Sequence, residues 1–349
     1  MINVGIAGAS GYTGVELVKL ISNHPGTKLC SITSNSYKDK TLTQIFPSMR
    51  GFQRGFENLT CEKLDADALS KKIDVIFLAL PHKVSMEYAP QFLDRGIKVV
   101  DLSADYRFKN ASTYEAVYQN HSSKHLLEKS VYGLSEIYRE QIKGTTLVGN
   151  PGCYPTTILL ALIPLLKEGL IKTEGIISDS KSGVSGAGRA TSLTSHFCEV
   201  NESFNAYKIG NHRHTPEINE ILTAHSQKKI DITFVPHLLP LTRGMLSTIY
   251  VQAILPVSEK EIRQVYESWY GKEFFIRVLD KGMYPAISHV RGTNCCDIGF
   301  HVNEETGQII IISVIDNLLK GAAGQAVQNM NIMFGLEEKD GLDAIMTPI

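Results

Sequence analysis

Residues 2 to 14 read INVGIAGASGYTG, and they are followed at once by VELVKLISNHP. The first stretch is a short β-like run, the second has apolar residues at helical spacing and stops at Pro25. Between them Gly8, Gly11 and Gly14 stand three apart. A strand, a glycine-rich turn and a helix in this order open a βαβ unit whose turn can cradle a pyrophosphate on the helix N-terminus. The spacing is not G-x-G-x-x-G, yet the physical needs are the same: a tight turn, close backbone approach and a helix dipole aimed at the anion. Gly8, Ser10, Gly11, Tyr12, Thr13 and Gly14 are therefore the expected cofactor loop. A turn that merely packs helix on strand is the alternative.

Outward from that loop the alternation continues. TKLCSITS, KKIDVIFLALP and GIKVVDLS are further β-like runs, the last two nearly continuous in apolar residues, as parallel strands covered on both faces are. SMEYAPQFLDRG between them reads as a helix. After residue 150 the character changes to longer, often alternating strands: GIISDSKSG, DITFVPHLLPL, GMLSTIYVQAIL, FFIRVL, NCCDIGFHVN and QIIIISVI. The expectation is an α/β protein, with a Rossmann-type doubly wound parallel sheet over residues 1 to 150. A helical segment over 316 to 349 returns to complete that domain. Residues 151 to 315 would form an α+β substrate and oligomerisation domain on a mostly antiparallel sheet.

The chain has 349 residues, 43% hydrophobic and 20% charged, with a net charge of −1. No basic or acidic block points to nucleic acid or a membrane surface. The N-terminus has no signal-peptide pattern and no apolar run reaches the ~20 residues that cross a bilayer. Six cysteines lie scattered without a C-x-x-C pair, which argues against a disulfide framework or a zinc site and fits the cytoplasm.

The second strand ends in SITSNSYKDK, with no acid before Asp39 to accept from a ribose 2′-hydroxyl. Ser34 and Ser36, with Lys38 beside them, would instead meet a 2′-phosphate, so the expected cofactor is NADP(H). Lys38 also reads as a solvated loop residue. Pro81 and His82 in ALPHKVS follow a sheet strand, and Pro81 is assigned to the cofactor site.

The most suspicious residue is the cysteine of GNPGCYPTT, residues 149 to 157. Cys153 stands on a stiff corner between Pro151 and Pro155, just ahead of an apolar helix. A helix N-terminus stabilises a thiolate, and its unpaired N–H groups can hold an oxyanion, with the Asn150 amide as a second donor. A buried inert thiol would not ask for such a corner. A nucleophilic sulfur needs a proton-transfer partner. Among eleven histidines, His212 and His214 of GNHRHTPEI stand on one face of an extended segment, with Thr215 as N-cap and Pro216 as first helical residue. Their His-x-His spacing also suits a metal, but no third ligand is evident. Arg107 in DLSADYRF and Arg189 at the end of SGVSGAGR, a loop containing Ser182 and Gly183, are candidate anion clamps, as is Arg243.

Taken together, GASGYTG, ALPHKVS, DLSADYR, NPGCYPT, SGVSGAGR, HRHTPEI and KGAAGQAVQNMN resemble the N-acetyl-gamma-glutamyl-phosphate reductases from the first strand to the terminal helix. The resemblance implies NADPH-dependent reduction of an acyl phosphate to an aldehyde with release of phosphate, within arginine biosynthesis. Cys153 would form a thioester and a histidine would give the proton, His212 first and His214 close behind. It also implies that Asn317 holds the nicotinamide carboxamide, that Gly321 lets the cofactor approach, and that the chain forms a homo-oligomer, usually a tetramer. Rival readings are aspartate-semialdehyde dehydrogenase, a lysine-pathway acyl-phosphate reductase, and a non-catalytic NADP-binding thiol sensor. The sensor would explain the loop and the thiol but neither the His pair nor the arginines.

Overall fold

A computed structural model describes residues 1 to 52 and 55 to 344. It divides into two compact units, one of Met1–Pro151 with Ala322–Ala344 and one built on Gly152–Gly321. The segment 316 to 349 is thus divided at Ala322, and its last five residues lie outside the described ones.

In the first unit seven strands form one parallel sheet: β1 (Ile2–Ala7), β2 (Thr27–Thr33), β3 (Cys61–Glu62), β4 (Val75–Leu78), β5 (Lys98–Asp101), β6 (Val131–Tyr132) and β7 (Leu147–Gly149). Their order is β3-β2-β1-β4-β5-β7-β6, and every pairing is parallel. The order reverses between β1 and β4, the switch point where ligands of such sheets bind. All four residues of β4 are buried, because helices cover both faces of a doubly wound sheet.

The terminal helix, Gly324–Phe334, packs in the same unit with buried amide side chains as well as apolar ones such as Val327 and Met330. Asn329 Nδ2 donates to the Gly133 carbonyl (2.8 Å) and to Asn150 Oδ1 (3.0 Å), and Gln325 Nε2 donates to the Gly133 carbonyl (3.0 Å). A Cβ on Gly133 would stand 2.4 Å from Asn329 Nδ2, so this close approach requires glycine.

The second unit holds β8 (Ile177–Gly183), β9 (Asn205–Ala206), β10 (Thr233–Leu239), β11 (Met245–Gln252), β12 (Ile276–Val278), β13 (Cys296–Asn303) and β14 (Gln308–Ile315). They order as β12-β13-β14-β11-β8-β10-β9, and four of the six pairings are antiparallel. Across one face lies the helix Cys153–Lys167, apolar nearly all round and buried accordingly. Hydroxyls beneath it form a chain: Thr157 to Ser247 (2.7 Å), Ser247 to Ser180 (2.7 Å), Ser180 to Ser178 (3.1 Å). These short side chains let the helix lie close while satisfying one another. From the helix Glu259–Tyr270, the hydroxyls of Tyr266 and Tyr270 donate to the carbonyls of Ala161 (2.6 Å) and Leu160 (2.7 Å). The direction of the Cys153 helix is therefore set by hydrogen bonds as well as by burial.

Candidate functional site

The glycine loop closes as its spacing requires, but the three glycines serve different ends. Gly8 has φ +84°, and a Cβ there would stand 2.2 Å from the Ala79 carbonyl oxygen. On Gly14 a Cβ would stand 2.2 Å from the Gly8 oxygen, so the first helix could not seat on its turn. Gly11 meets nothing closer than 3.5 Å and is the N-cap of the helix Tyr12–Asn23. That N-terminus has no side-chain cap and no acid in its first turn. Its first N–H groups have no carbonyl within the helix to bind, and an anion is the natural partner. The Gly8 and Ala9 N–H groups donate to the Thr33 carbonyl (3.1 and 3.0 Å), pinning the loop to the end of β2. There Ser10 Oγ and Ser34 Oγ meet at 2.8 Å, Ser34 buried and Ser36 exposed. These residues fit a dinucleotide: a cradle that a Cβ would fill, a helix N-terminus without its own acid, and two adjacent hydroxyls.

Pro81 is exposed after β4, while the His82 ring serves the fold, its Nδ1 accepting from Ala104 N–H at 2.9 Å. The buried carboxylate of Asp105 shapes this loop by accepting from Lys83 N–H (2.8 Å), Met86 N–H (3.1 Å) and the Tyr114 hydroxyl (2.8 Å). Nearby Asp101 is held above the usual carboxylate range by burial and by Asp105.

Arg107 is buried, and its guanidinium donates to the carbonyls of Asn150 (Nε, 2.6 Å) and Leu102 (Nη2, 2.9 Å). Asn150 is likewise engaged at both ends of its side chain, donating to the Ala322 carbonyl (3.1 Å) and accepting from Asn329. Both residues brace the strand end that leads into the corner.

Cys153 is the first residue of its helix, half-buried, with Gly152 as N-cap. Pro155 carries no N–H, so the first-turn donors are those of Cys153 and Tyr154. Gly321 explains the tight seating of the terminal turn on this corner: a Cβ there would stand 2.8 Å from the Cys153 Cβ. Tyr154 donates to the His237 carbonyl (3.2 Å), and Tyr207 donates to the Tyr154 hydroxyl (3.3 Å). Burial first, and then neighbours including Cys153, push the Tyr154 phenol up; burial and Cys153 do the same to Tyr207.

The two histidines come together, with ring centroids 4.9 Å apart. Both are buried, and the His212 ring also packs edge-on against Tyr154 (5.6 Å), Tyr207 (5.5 Å) and Phe234 (5.3 Å). Burial, with help from Arg213 and Lys208, lowers the His212 pKa to about 3. The N–H of His214 donates to His212 Nδ1 at 3.1 Å, so the neutral ring carries its proton on Nε2. His214 itself is the N-cap of the helix Thr215–Ser226, one residue earlier than the Thr215 cap expected from the pattern, with Pro216 in the first turn.

Ser182 is buried, and Gly183 is required because a Cβ would stand 2.9 Å from the Arg243 main-chain nitrogen. Arg189 is half-buried at the end of the same loop. Asn317 joins two loops, its Nδ2 donating to Ser185 Oγ (2.9 Å) and its Oδ1 accepting from Gly244 N–H (2.7 Å). Arg243 is held by the buried Asp316 carboxylate, at 2.9 Å from Nε and 3.1 Å from Nη2.

Glu217, Tyr207 and Asp105 were not singled out from the pattern. Glu217 is buried in the first turn of its helix and accepts from Gly152 N–H at 2.9 Å. An acid at that position is common on any helix, so only its burial distinguishes it. Among the described residues no group of three or more His, Cys, Asp or Glu side chains is arranged to hold a metal ion, and no helix is long and apolar enough to cross a membrane.

Residues 3–145 match the semialdehyde dehydrogenase NAD-binding domain family, and residues 153–317 match the semialdehyde dehydrogenase dimerisation domain family. The chain is 62% identical over 343 residues to an N-acetyl-gamma-glutamyl-phosphate reductase of Desulforapulum autotrophicum, covering 98% of each chain. It is 52% identical to the Geobacter sulfurreducens protein of the same name, covering 99% of each. Among solved structures it resembles aspartate semialdehyde dehydrogenase II of Vibrio cholerae (TM-score 0.73, 15% identity, 96% of this chain and 98% of that one). It also resembles the Candida albicans aspartate semialdehyde dehydrogenase solved with NADP (TM-score 0.70, 15% identity, 96% and 98%). At that identity the structural likeness speaks for the fold alone.

Proposed function

The chain belongs to the N-acetyl-gamma-glutamyl-phosphate reductases of the semialdehyde dehydrogenase family, and from that membership we propose a two-step reductive dephosphorylation carried by Cys153. The substrate is N-acetyl-gamma-glutamyl phosphate, the products N-acetylglutamate semialdehyde and phosphate. The observation that carries this reading is Cys153 as first residue of an apolar helix, in one unit with a neutral histidine whose proton sits on Nε2.

In the first step the Cys153 sulfur, its proton lost to water, attacks the acyl carbon as a thiolate. The bond from that carbon to the phosphate oxygen breaks, inorganic phosphate leaves, and a thioester remains on the enzyme. The N–H groups of Cys153 and Tyr154, at the positive end of the helix, are suited to the oxyanion of this attack. A reduced nicotinamide, when bound, supplies the hydride that turns the thioester into a thiohemiacetal. Its collapse breaks the carbon–sulfur bond and frees the aldehyde. The sulfur departs as a thiolate, stabilised by the helix N-terminus and by a hydrogen bond from His212 Nε2–H, while His212 Nδ1 is held by His214 N–H.

NADP(H) is the favoured form, because Ser10 and Ser34 meet where an NAD site carries an acid. Arg107 and Asn150 act on this reading through the corner they brace, and Asn317 through the loops it joins. Arg189, Ser182 and Gly183 remain the proposed contacts for the substrate's anionic groups. The second unit would also carry a homo-oligomer. Its sheet leaves Thr248, Tyr250, Ile310 and Ile312 half-exposed on the face away from the Cys153 helix, a surface suited to a second copy. The enzyme would act in the cytoplasm.

The direct test is to mix enzyme with the acyl phosphate in the absence of NADPH and weigh the protein. A mass increase of one N-acetylglutamyl group on the Cys153 peptide, absent in Cys153→Ser, is expected. No adduct, or an adduct on another residue, would overturn the thioester step.

A further inference from the structure

We propose that Glu217 is a positioning residue that sets the Cys153 sulfur relative to His212; the inference rests on the reaction assigned above and names a group that reaction did not use.

Gly152 is the N-cap of the Cys153 helix and has no side chain with which to cap it. It is buried, so its N–H must find an acceptor inside the protein. That acceptor is Glu217 Oε1, at 2.9 Å, from a helix 65 residues further along the chain. A first-turn acid that only capped its own helix would bond its own N–H groups at the surface. Glu217 is 1% exposed and reaches the neighbouring N-terminus.

Two helix N-termini therefore meet on one carboxylate, a place where a buried negative charge is tolerated. The histidine pair is tied to the same helix start. The His212 carbonyl accepts from Thr215 N–H (2.9 Å), and the His214 carbonyl accepts from Ile218 N–H (3.0 Å). One side chain thus connects the turn bearing His212 to the residue immediately before Cys153. Its negative charge opposes a thiolate, so its contribution is geometric: the acceptor oxygen matters, and the charge does not.

The test uses the full-length enzyme carrying Glu217→Gln, Glu217→Ala or Glu217→Asp. Glutamine keeps an acceptor oxygen at the same reach and loses the charge. Alanine removes the acceptor, and aspartate keeps the charge but is one methylene too short. Four quantities are read: kcat and KM for NADP in the phosphate-dependent oxidation of the aldehyde, the rate of Cys153 alkylation by iodoacetamide followed by peptide mass spectrometry, and the melting temperature.

Glu217→Ala and Glu217→Asp are expected to lower kcat about 100-fold with KM for NADP within about threefold, as ångström-scale misplacement does. Cys153 alkylation should slow about tenfold as the sulfur leaves the helix axis. Glu217→Gln should return both to within about fivefold of the parent, because the hydrogen bond is kept. If alanine fails to fold, the aspartate and glutamine pair carries the comparison. A drop in melting temperature with kcat unchanged would overturn the proposal, as would glutamine as impaired as aspartate. Should the parent itself not turn over, the assigned reaction fails, and the alkylation rates still decide whether Glu217 sets the sulfur.

Discussion

The main-chain N–H of His214 donates to Nδ1 of His212 at 3.1 Å, inside a pocket of aromatic rings that keeps the imidazole neutral. This single bond separates two histidines that are alike in sequence. It leaves His212 with its proton on Nε2 and gives His214 the task of holding the ring. His212→Asn is therefore expected to lower kcat about 10²–10³-fold, the range of a lost hydrogen-bond donor to developing charge. His214→Asn keeps the main-chain donor and should cost less than about tenfold. Steady-state rates of the two variants check this, and the reverse ranking would reassign the hydrogen-bonding ring to His214.

The same burial makes His212 a source of acid sensitivity. Unfolded, its ring titrates near 6.5; folded, near 3. Between those values the unfolded chain binds a proton that the folded chain lacks, so stability falls as the pH falls through that window. His212→Gln removes this proton uptake. Urea melts at pH 7.5 and 4.5 should show the parent losing roughly 2–3 kcal/mol more than the variant over that interval. Equal losses would show that the ring is already charged in the folded state.

Gly321 tests the seating of the terminal turn on Cys153. A methyl group there would stand 2.8 Å from the Cys153 Cβ. Gly321→Ala is expected to displace the thiol and lower kcat at least tenfold, with KM for NADP changed less than about threefold. Kinetics with both substrates varied would check it. An unchanged kcat would mean that the turn shifts aside without moving the sulfur.

The glycine loop offers a contrast within seven residues. Gly8→Ala meets both a positive φ and the Ala79 carbonyl and should destabilise the protein by about 3 kcal/mol. Gly11→Ala meets no such neighbour, so its stability should change by less than about 1 kcal/mol. Its effect should appear instead as weaker NADP binding, because the added methyl group stands at the N-cap of the helix. Thermal melts paired with cofactor titration separate the two.

The fold was legible wherever burial writes a repeating pattern. VIFL in β4 is apolar throughout because helices cover both its faces, and MLSTIYVQ in β11 alternates because its two faces differ. The corner at Cys153 was legible because Pro151 and Pro155 restrict the chain in a way packing alone does not require. What stayed hidden depends on partners far apart in sequence. Arg107 read as a clamp for an anion, and nothing nearby says that two of its donors go to main-chain carbonyls. Asn317 read as a cofactor contact, while Ser185 and Gly244, which engage both ends of its amide, lie 132 and 73 residues away. Glu217 looked like an ordinary acid in a first helical turn until its bond to Gly152 appeared.

Phosphate dependence tests the central claim most directly. With N-acetylglutamate semialdehyde and NADP, the reverse reaction should form NADPH only when inorganic phosphate is present to release the acyl group from Cys153. Cys153→Ser should abolish it. NADPH formation at full rate without phosphate, or undiminished in Cys153→Ser, would contradict the account.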